Sequence, residues 1–112
     1  PLIDKWINRS HGEVDYHLTQ ILTGHGCFRA YLYKYKHVDS PNCPECKGVP
    51  ETAEHILLEC PRFEEIRSRV RANDLRPESL LDFMLESENE WQAVSWAASK
   101  IIMELRRIER ER

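Results

Sequence analysis

Cys43-Pro44-Glu45-Cys46-Lys47-Gly48-Val49-Pro50-Glu51-Thr52-Ala53-Glu54-His55-Ile56-Leu57-Leu58-Glu59-Cys60 sets three thiols and one imidazole within eighteen residues. The spacing is C-x2-C-x8-H-x4-C. Zinc takes four such donors in a tetrahedron, at about 2.3 Å to sulfur and about 2.0–2.1 Å to nitrogen. A tight turn lets the sulfurs of Cys43 and Cys46 point the same way, and Pro44 and Gly48 suit that turn. Thr52 to Cys60 reads as one short helix, capped by Thr52 and stopped by Pro61, with His55 in its first turn and Cys60 in its last. The plainer readings are two disulfides or free buried cysteines. Four spaced donors favour zinc over both.

Such a centre is structural in kind. A catalytic zinc keeps one position open for water, whereas here Cys43, Cys46, His55 and Cys60 fill all four. Glu45, Glu54 and Glu59 are near in sequence, but a general base has no metal-bound water there to act on. Metal binding of this type supplies on the order of 10 kcal/mol or more of folding free energy, so the surrounding segment is expected to be disordered without metal.

Outward from this stretch, the chain reads as mostly α. Leu2, Ile3, Trp6 and Ile7 predict a short N-terminal helix, broken at Ser10-His11-Gly12. Val14, Leu18, Ile21 and Leu22 predict an amphipathic helix over Glu13–Thr23, with Gly24 as its left-handed stop. His25 is expected to hydrogen-bond between this helix and the next, and Cys27 to be a small buried apolar residue. Phe28 to His37 interleaves four aromatics with three basic residues. As a helix it turns Phe28, Tyr31, Leu32 and Tyr35 inward, leaving Arg29, Tyr33, Lys36 and His37 outside with Lys34 flanking. Exposed tyrosine with positive charge suits phosphates and bases; the plainer reading is an ordinary solvated basic face.

Beyond Pro61, Phe63, Ile66 and Val70 make a helical stripe, and Arg62, Arg67, Arg69 and Arg71 form a second basic region diluted by Glu64 and Glu65. Pro77 opens a short apolar helix. A long helix follows from about Asn89, its residues Trp91, Val94, Ala98, Ile101, Leu105 and Ile108 stepping as a heptad-like seam. That seam either packs back on the domain or pairs with a second copy. The expected architecture is a zinc-stabilised helical domain over residues 1–75 and a C-terminal helical extension over 76–112, packed on it or on a partner.

The 112 residues carry a formal charge of -3, which argues against a uniformly basic nucleic-acid binder. Residues 1–47 hold six Lys/Arg against five Asp/Glu, so an anion-binding face must be local. No run of eighteen apolar residues marks a membrane span. Cysteines spaced as ligands suit a reducing compartment, and a start at Pro1 suggests a piece of something longer. A hydrolase built on His25 and Cys27 lacks an identifiable base.

Two segments together resemble a known family. Leu22-Thr23-Gly24-His25-Gly26, then Phe28-x-x-Tyr31-Leu32, precedes the four donors, with Glu51-Thr52-Ala53-Glu54-His55-Ile56-Leu57 and Cys60-Pro61-Arg62-Phe63. This resembles the C-terminal region of the reverse-transcriptase polyprotein of non-LTR (LINE-type) retrotransposons, of the arthropod kind that inserts in ribosomal RNA genes or telomeric repeats. The resemblance covers roughly residues 14–70. It implies zinc ligands at Cys43, Cys46, His55 and Cys60, and a non-catalytic accessory that holds template RNA or target DNA near the polymerase domain of the same polyprotein. It further implies target-primed reverse transcription in the nucleus after cytoplasmic synthesis. The eight-residue gap before His55 separates this spacing from the shorter retroviral knuckle. The alternative is a zinc-pinned protein–protein scaffold, which the Trp91–Ile108 seam suits as a homodimer.

Overall fold

The computed structural model describes Arg9 and residues 11–70 and 75–111. The helix expected before Ser10, with Trp6, lies outside these residues, as do Arg71 and most of the turn after it. Among the described residues the fold is helical with no strand; one isolated bridge, Asn42 to Pro50, closes a small hairpin. Helix α1 is Tyr16–Thr23, α2 is Arg29–Lys34, α3 is Glu64–Arg69, α4 is Pro77–Glu86 and α5 is Glu88–Arg110. A ligand-bearing helix over residues 53–59 and a single 3₁₀ turn, Pro61–Phe63, lie between α2 and α3.

Helix α1 begins later than its apolar spacing suggests. The Asp15 carboxylate accepts the Leu18 N–H at 2.8 Å and caps the helix, leaving Val14 outside it and exposed. Gly24 ends the helix in the left-handed conformation, its N–H bonded to Gln20 O at 2.9 Å. Among the described residues His25 makes no ring hydrogen bond between helices. Its imidazole stacks on Tyr31 at 4.6 Å, while its backbone N–H reaches Thr23 Oγ1. Cys27 is half-buried, and burial pushes its thiol up to about 11.

Helix α2 is short. Phe28 is fully buried just before it, and Tyr31 and Leu32 are half-buried. Tyr35, expected inside, is exposed, because the chain leaves the helix there. Lys36 takes a left-handed φ of 63°, the Lys36 N–H bonds to Tyr33 O and the His37 N–H to Leu32 O. This pair of bonds is a Schellman ending, normally reserved for glycine. Lys36→Gly is therefore expected to stabilise the chain by about 1 kcal/mol, read as a higher urea midpoint at unchanged m-value. A lowered midpoint would contradict the left-handed assignment.

Helix α5 is the spine. Ser87 caps it, and it packs against α4, α1, α3 and the ligand helix. Trp91, Val94, Ala98, Ile101 and Leu105 are buried within the chain and Ile108 is half-buried, so five of the six residues expected to pair two copies are covered by the chain's own helices. Each large side chain buried this way contributes about 1.5–3 kcal/mol. The Trp91 indole N–H donates to Glu13 O at 2.9 Å, and a Cβ on Gly12 would come within 2.6 Å of the Trp91 ring. Gly12 is thus required by close approach as well as by its φ of 102°. No helix among the described residues is long and apolar enough to cross a membrane.

Candidate metal centre

Local backbone bonds build the first half of the site. Cys43 N–H donates to Val49 O at 2.7 Å and Val49 N–H to Cys46 O at 3.2 Å, while Glu51 N–H donates to Pro41 O at 2.8 Å. Gly48, at φ 75°, makes the reversal possible. The hairpin turns the Cys43 and Cys46 sulfurs toward the ligand helix, with Cys43 buried and Cys46 half-buried.

The second half depends on a change of helical register. Thr52 caps the ligand helix, its hydroxyl accepting the His55 N–H at 3.1 Å. In a regular α-helix five residues turn the chain through roughly 500°, leaving Cys60 about 140° round from His55. The segment His55–Glu59 is instead a π-turn, closed by Cys60 N–H to His55 O at 2.7 Å. The wider turn brings the fifth residue back over the first. Pro61 then starts the next turn.

The result is a cluster in which the donor atoms of Cys43, Cys46, His55 and Cys60 all lie within 4.8 Å of one another. Cys60 Sγ lies 3.8 Å from Cys43 Sγ and 4.0 Å from Cys46 Sγ. A disulfide needs about 2.05 Å, so these are not disulfides; the four cysteines are free. A tetrahedron with arms of about 2.3 Å has edges of about 3.8 Å, which these separations match. Both His55 ring nitrogens are buried without a hydrogen-bond partner, a costly condition that a metal bond relieves. Glu59 lies 3.6 Å from His55 Nδ1, beyond hydrogen-bond reach, so neither ring nitrogen is engaged within the described residues. The donor set therefore fits a metal ion.

Electrostatics point the same way. Burial, then the adjoining Cys43 and Cys60 sulfurs, push the Cys46 thiol up to about 11. Burial also opposes ionisation of Cys60, but the Arg62 guanidinium and backbone outweigh it and hold that thiol below its ordinary value. Crowded thiolates need cations, and the chain supplies one. Arg62 donates from Nε to Cys60 Sγ at 3.4 Å and from Nη2 to Cys43 Sγ at 3.2 Å. The same Nη2 meets Glu51 Oε2 at 2.9 Å. Burial disfavours the charged guanidinium, yet the bonds to Cys60 and Glu51 raise its pKa above the ordinary arginine value.

Glu51 links the centre to α2. It is 2% exposed; Oε1 accepts the Arg29 N–H at 2.9 Å, and its carbonyl accepts the Ala30 N–H at 3.1 Å. Arg67, also buried, closes the other end. Its guanidinium donates to the carbonyls of Ile56, Leu57 and Cys60 at the end of the π-turn, the last of which also accepts the Phe63 N–H. Arg62 and Arg67 are thus interior residues, not a second basic surface, and Arg69 is paired with Glu65. An arginine two places after a ligand cysteine was the only sequence hint of this role.

The five residues expected to touch nucleic acid are dispersed. Tyr33, Lys34 and Lys36 are exposed, with the Lys34 ammonium 5.7 Å from the Tyr35 ring. Arg29 is half-buried beside the metal hairpin, in a groove of about 330 Å³ with Asn42, Cys43 and Pro44, and its Nε is buried without a partner. His37 turns toward the end of α5.

No protein-family model and no solved structure matches the chain. Curated proteins do. It is 34% identical over 97 residues, 83% of this chain and 24% of the relative, to the retrovirus-related Pol polyprotein from type-1 retrotransposable element R1 4 of Nasonia vitripennis. It is 40% identical over 50 residues, 45% of this chain and 20% of the relative, to the R1 Pol polyprotein of Popillia japonica. The R1 Pol polyprotein of Bradysia coprophila is 38% identical over 50 residues, 45% of this chain and 5% of the relative. The chain thus spans a quarter or less of the length of these relatives. By these matches the chain is a homologue of one segment of the Pol polyproteins of type-1 R1 retrotransposable elements, and in this chain that segment carries a Cys-Cys-His-Cys cluster.

Proposed function

We propose that this chain is a zinc-pinned, non-catalytic accessory of a retrotransposon reverse transcriptase that binds template RNA or target DNA beside the polymerase during target-primed reverse transcription. It would act in the nucleus after cytoplasmic synthesis. Cys43, Cys46, His55 and Cys60 hold one Zn2+, which supplies a closed structural crosslink and leaves no position for substrate. Arg62 neutralises the surplus charge of three thiolates around a dication.

The observation that carries the reading is that α2, which with the turn after it presents Tyr33, Lys34 and Lys36 to solvent, is tied at its first turn to the metal centre through Glu51. Two exposed lysines beside exposed tyrosines can contact phosphates and stack a base. The test is titration of labelled single-stranded RNA and DNA with metal-loaded protein at several salt concentrations. Lys34→Ala with Lys36→Ala is expected to lower the salt slope by about 1.4, near 0.7 per lost contact. Binding of unchanged strength and slope in that variant would reject this face.

A docking scaffold is the second reading. Trp96 and Met103, exposed two turns apart on α5, favour it. Sedimentation discriminates: a monomer that binds nucleic acid supports the first reading, a dimer indifferent to it the second.

A further inference from the structure

The last turns of α5 sort their arginines. Arg107 is neutralised by Glu104 and by Glu111, the latter at 2.8 Å. Arg106 and Arg110, one turn apart on another face, make no salt bridge among the described residues. They line a groove of about 470 Å³ with His37, Cys27 and Leu32, and Glu109 is the one carboxylate lining it. Three features prepare this groove for a ligand. Arg106 is held in place: its guanidinium lies 5.1 Å from the centre of the Tyr16 ring and donates to the Tyr16 hydroxyl, while its Nε is buried without a partner. His37 reaches the groove because Lys36, immediately before it, adopts the left-handed conformation that a lysine resists. Such strain persists where the surrounding structure enforces it, and it clusters at functional positions. Finally, the floor at Cys27 and Leu32 is apolar, so the groove pairs cationic walls with a surface for a sugar or base edge.

We propose that this groove is a second phosphodiester contact, gripping the backbone of the strand whose bases and phosphates meet Tyr33, Lys34 and Lys36. The inference rests on the nucleic-acid reading above, adds the contacting residues Arg106 and Arg110, and places His37 with them. Planar guanidiniums suit phosphate oxygens, which they can meet with two parallel hydrogen bonds. Because Lys36 belongs to one contact and His37 to the other, the turn after α2 joins them, and one single strand can pass from face to groove.

The experiment compares metal-loaded wild type, Arg110→Ala with His37→Ala, and Lys34→Ala with Lys36→Ala. Labelled oligouridine and oligothymidine are the probes, read across a salt series. Both side chains of the groove variant are exposed, so its fold is expected to be kept, as circular dichroism verifies. The groove variant is expected to bind about tenfold more weakly, with a salt slope reduced by about 1. The two pairs of substitutions combined should lose the sum of their separate effects. Unchanged affinity and slope in the groove variant, with weakening in the lysine variant, would overturn the groove and leave the proposed function standing. Wild type that binds neither probe overturns both. Inorganic phosphate that shifts the His37 ring resonances, while oligonucleotide binding survives the groove substitutions, marks a free-anion site and also overturns the proposal.

Discussion

Stripping the metal from this chain, or replacing Cys60 by serine, is expected to abolish cooperative unfolding. The reasoning is one of scale. A Cys-Cys-His-Cys centre contributes on the order of 10 kcal/mol, against a net stability of about 5–15 kcal/mol for a whole domain. Cys60 is not a peripheral donor. It is fully buried, lies within 4.0 Å of both other sulfurs of the cluster, and its carbonyl and N–H are engaged by Arg67 and His55. Its replacement leaves Arg62 facing one thiolate fewer and removes the donor that the π-turn brings round to His55. Ile56, Leu57 and Leu58, buried on the same short helix, then lose what holds that helix against the hairpin. Thermal melts and near-ultraviolet circular dichroism, with zinc, with chelator and after zinc is restored, check this. A chain that melts at the same temperature with and without chelator would remove the metal from the account of the fold. Ser99→Ala serves as control: it removes one hydrogen bond, to His17 Nδ1 at 3.1 Å, and should cost about 1 kcal/mol.

What the sequence made legible follows from which forces act locally. Four donors at fixed spacing identify themselves by chemistry, and they do converge. Gly24, Thr52 and Pro77 mark helix ends because capping is a short-range interaction, and each sits where its residue type predicts. The π-turn was not legible, since it brings the donors of residues 55 and 60 together with those of the hairpin, a tertiary demand. Helix limits slipped where a cap competed with periodicity. Asp15 draws the start of α1 past Val14, and the left-handed Lys36 ends α2 before Tyr35. The arginines were the largest misreading. Arg62 and Arg67 look like surface charge by composition, yet they are drawn inward by thiolates and by the carbonyls of the π-turn. The seam on α5 was legible as apolar, but the pattern says only that it must be covered, not by what.

Glu51→Ala should be the most damaging change outside the four donors, at a cost of about 3–5 kcal/mol. The carboxylate is buried and meets two donors of different kinds: the guanidinium of Arg62 and the backbone N–H that opens α2. Alanine leaves a backbone donor without its partner and an arginine whose charge is then balanced by sulfur alone. Glu51→Gln separates these contributions. An amide oxygen can still accept one of the two bonds, so a loss of about half is expected, with the remainder reporting charge. The sharper measurement is a double-mutant cycle with Arg62→Met, in zinc-buffered urea titrations. If the two residues act as one relay from the metal to α2, the double variant is expected to lose less than the sum by about 1–3 kcal/mol. Strict additivity would mean that Glu51 and Arg62 stabilise the chain separately. The relay also predicts a consequence beyond stability: competition with a chromophoric chelator should show weaker zinc affinity in Glu51→Ala, within the 10–100-fold range that outer partners of metal ligands command. Unaltered metal affinity in a destabilised variant would place Glu51 in the packing of α2 alone, and the tie between the metal centre and the helix bearing Tyr33 and Lys34 would then be structural coincidence.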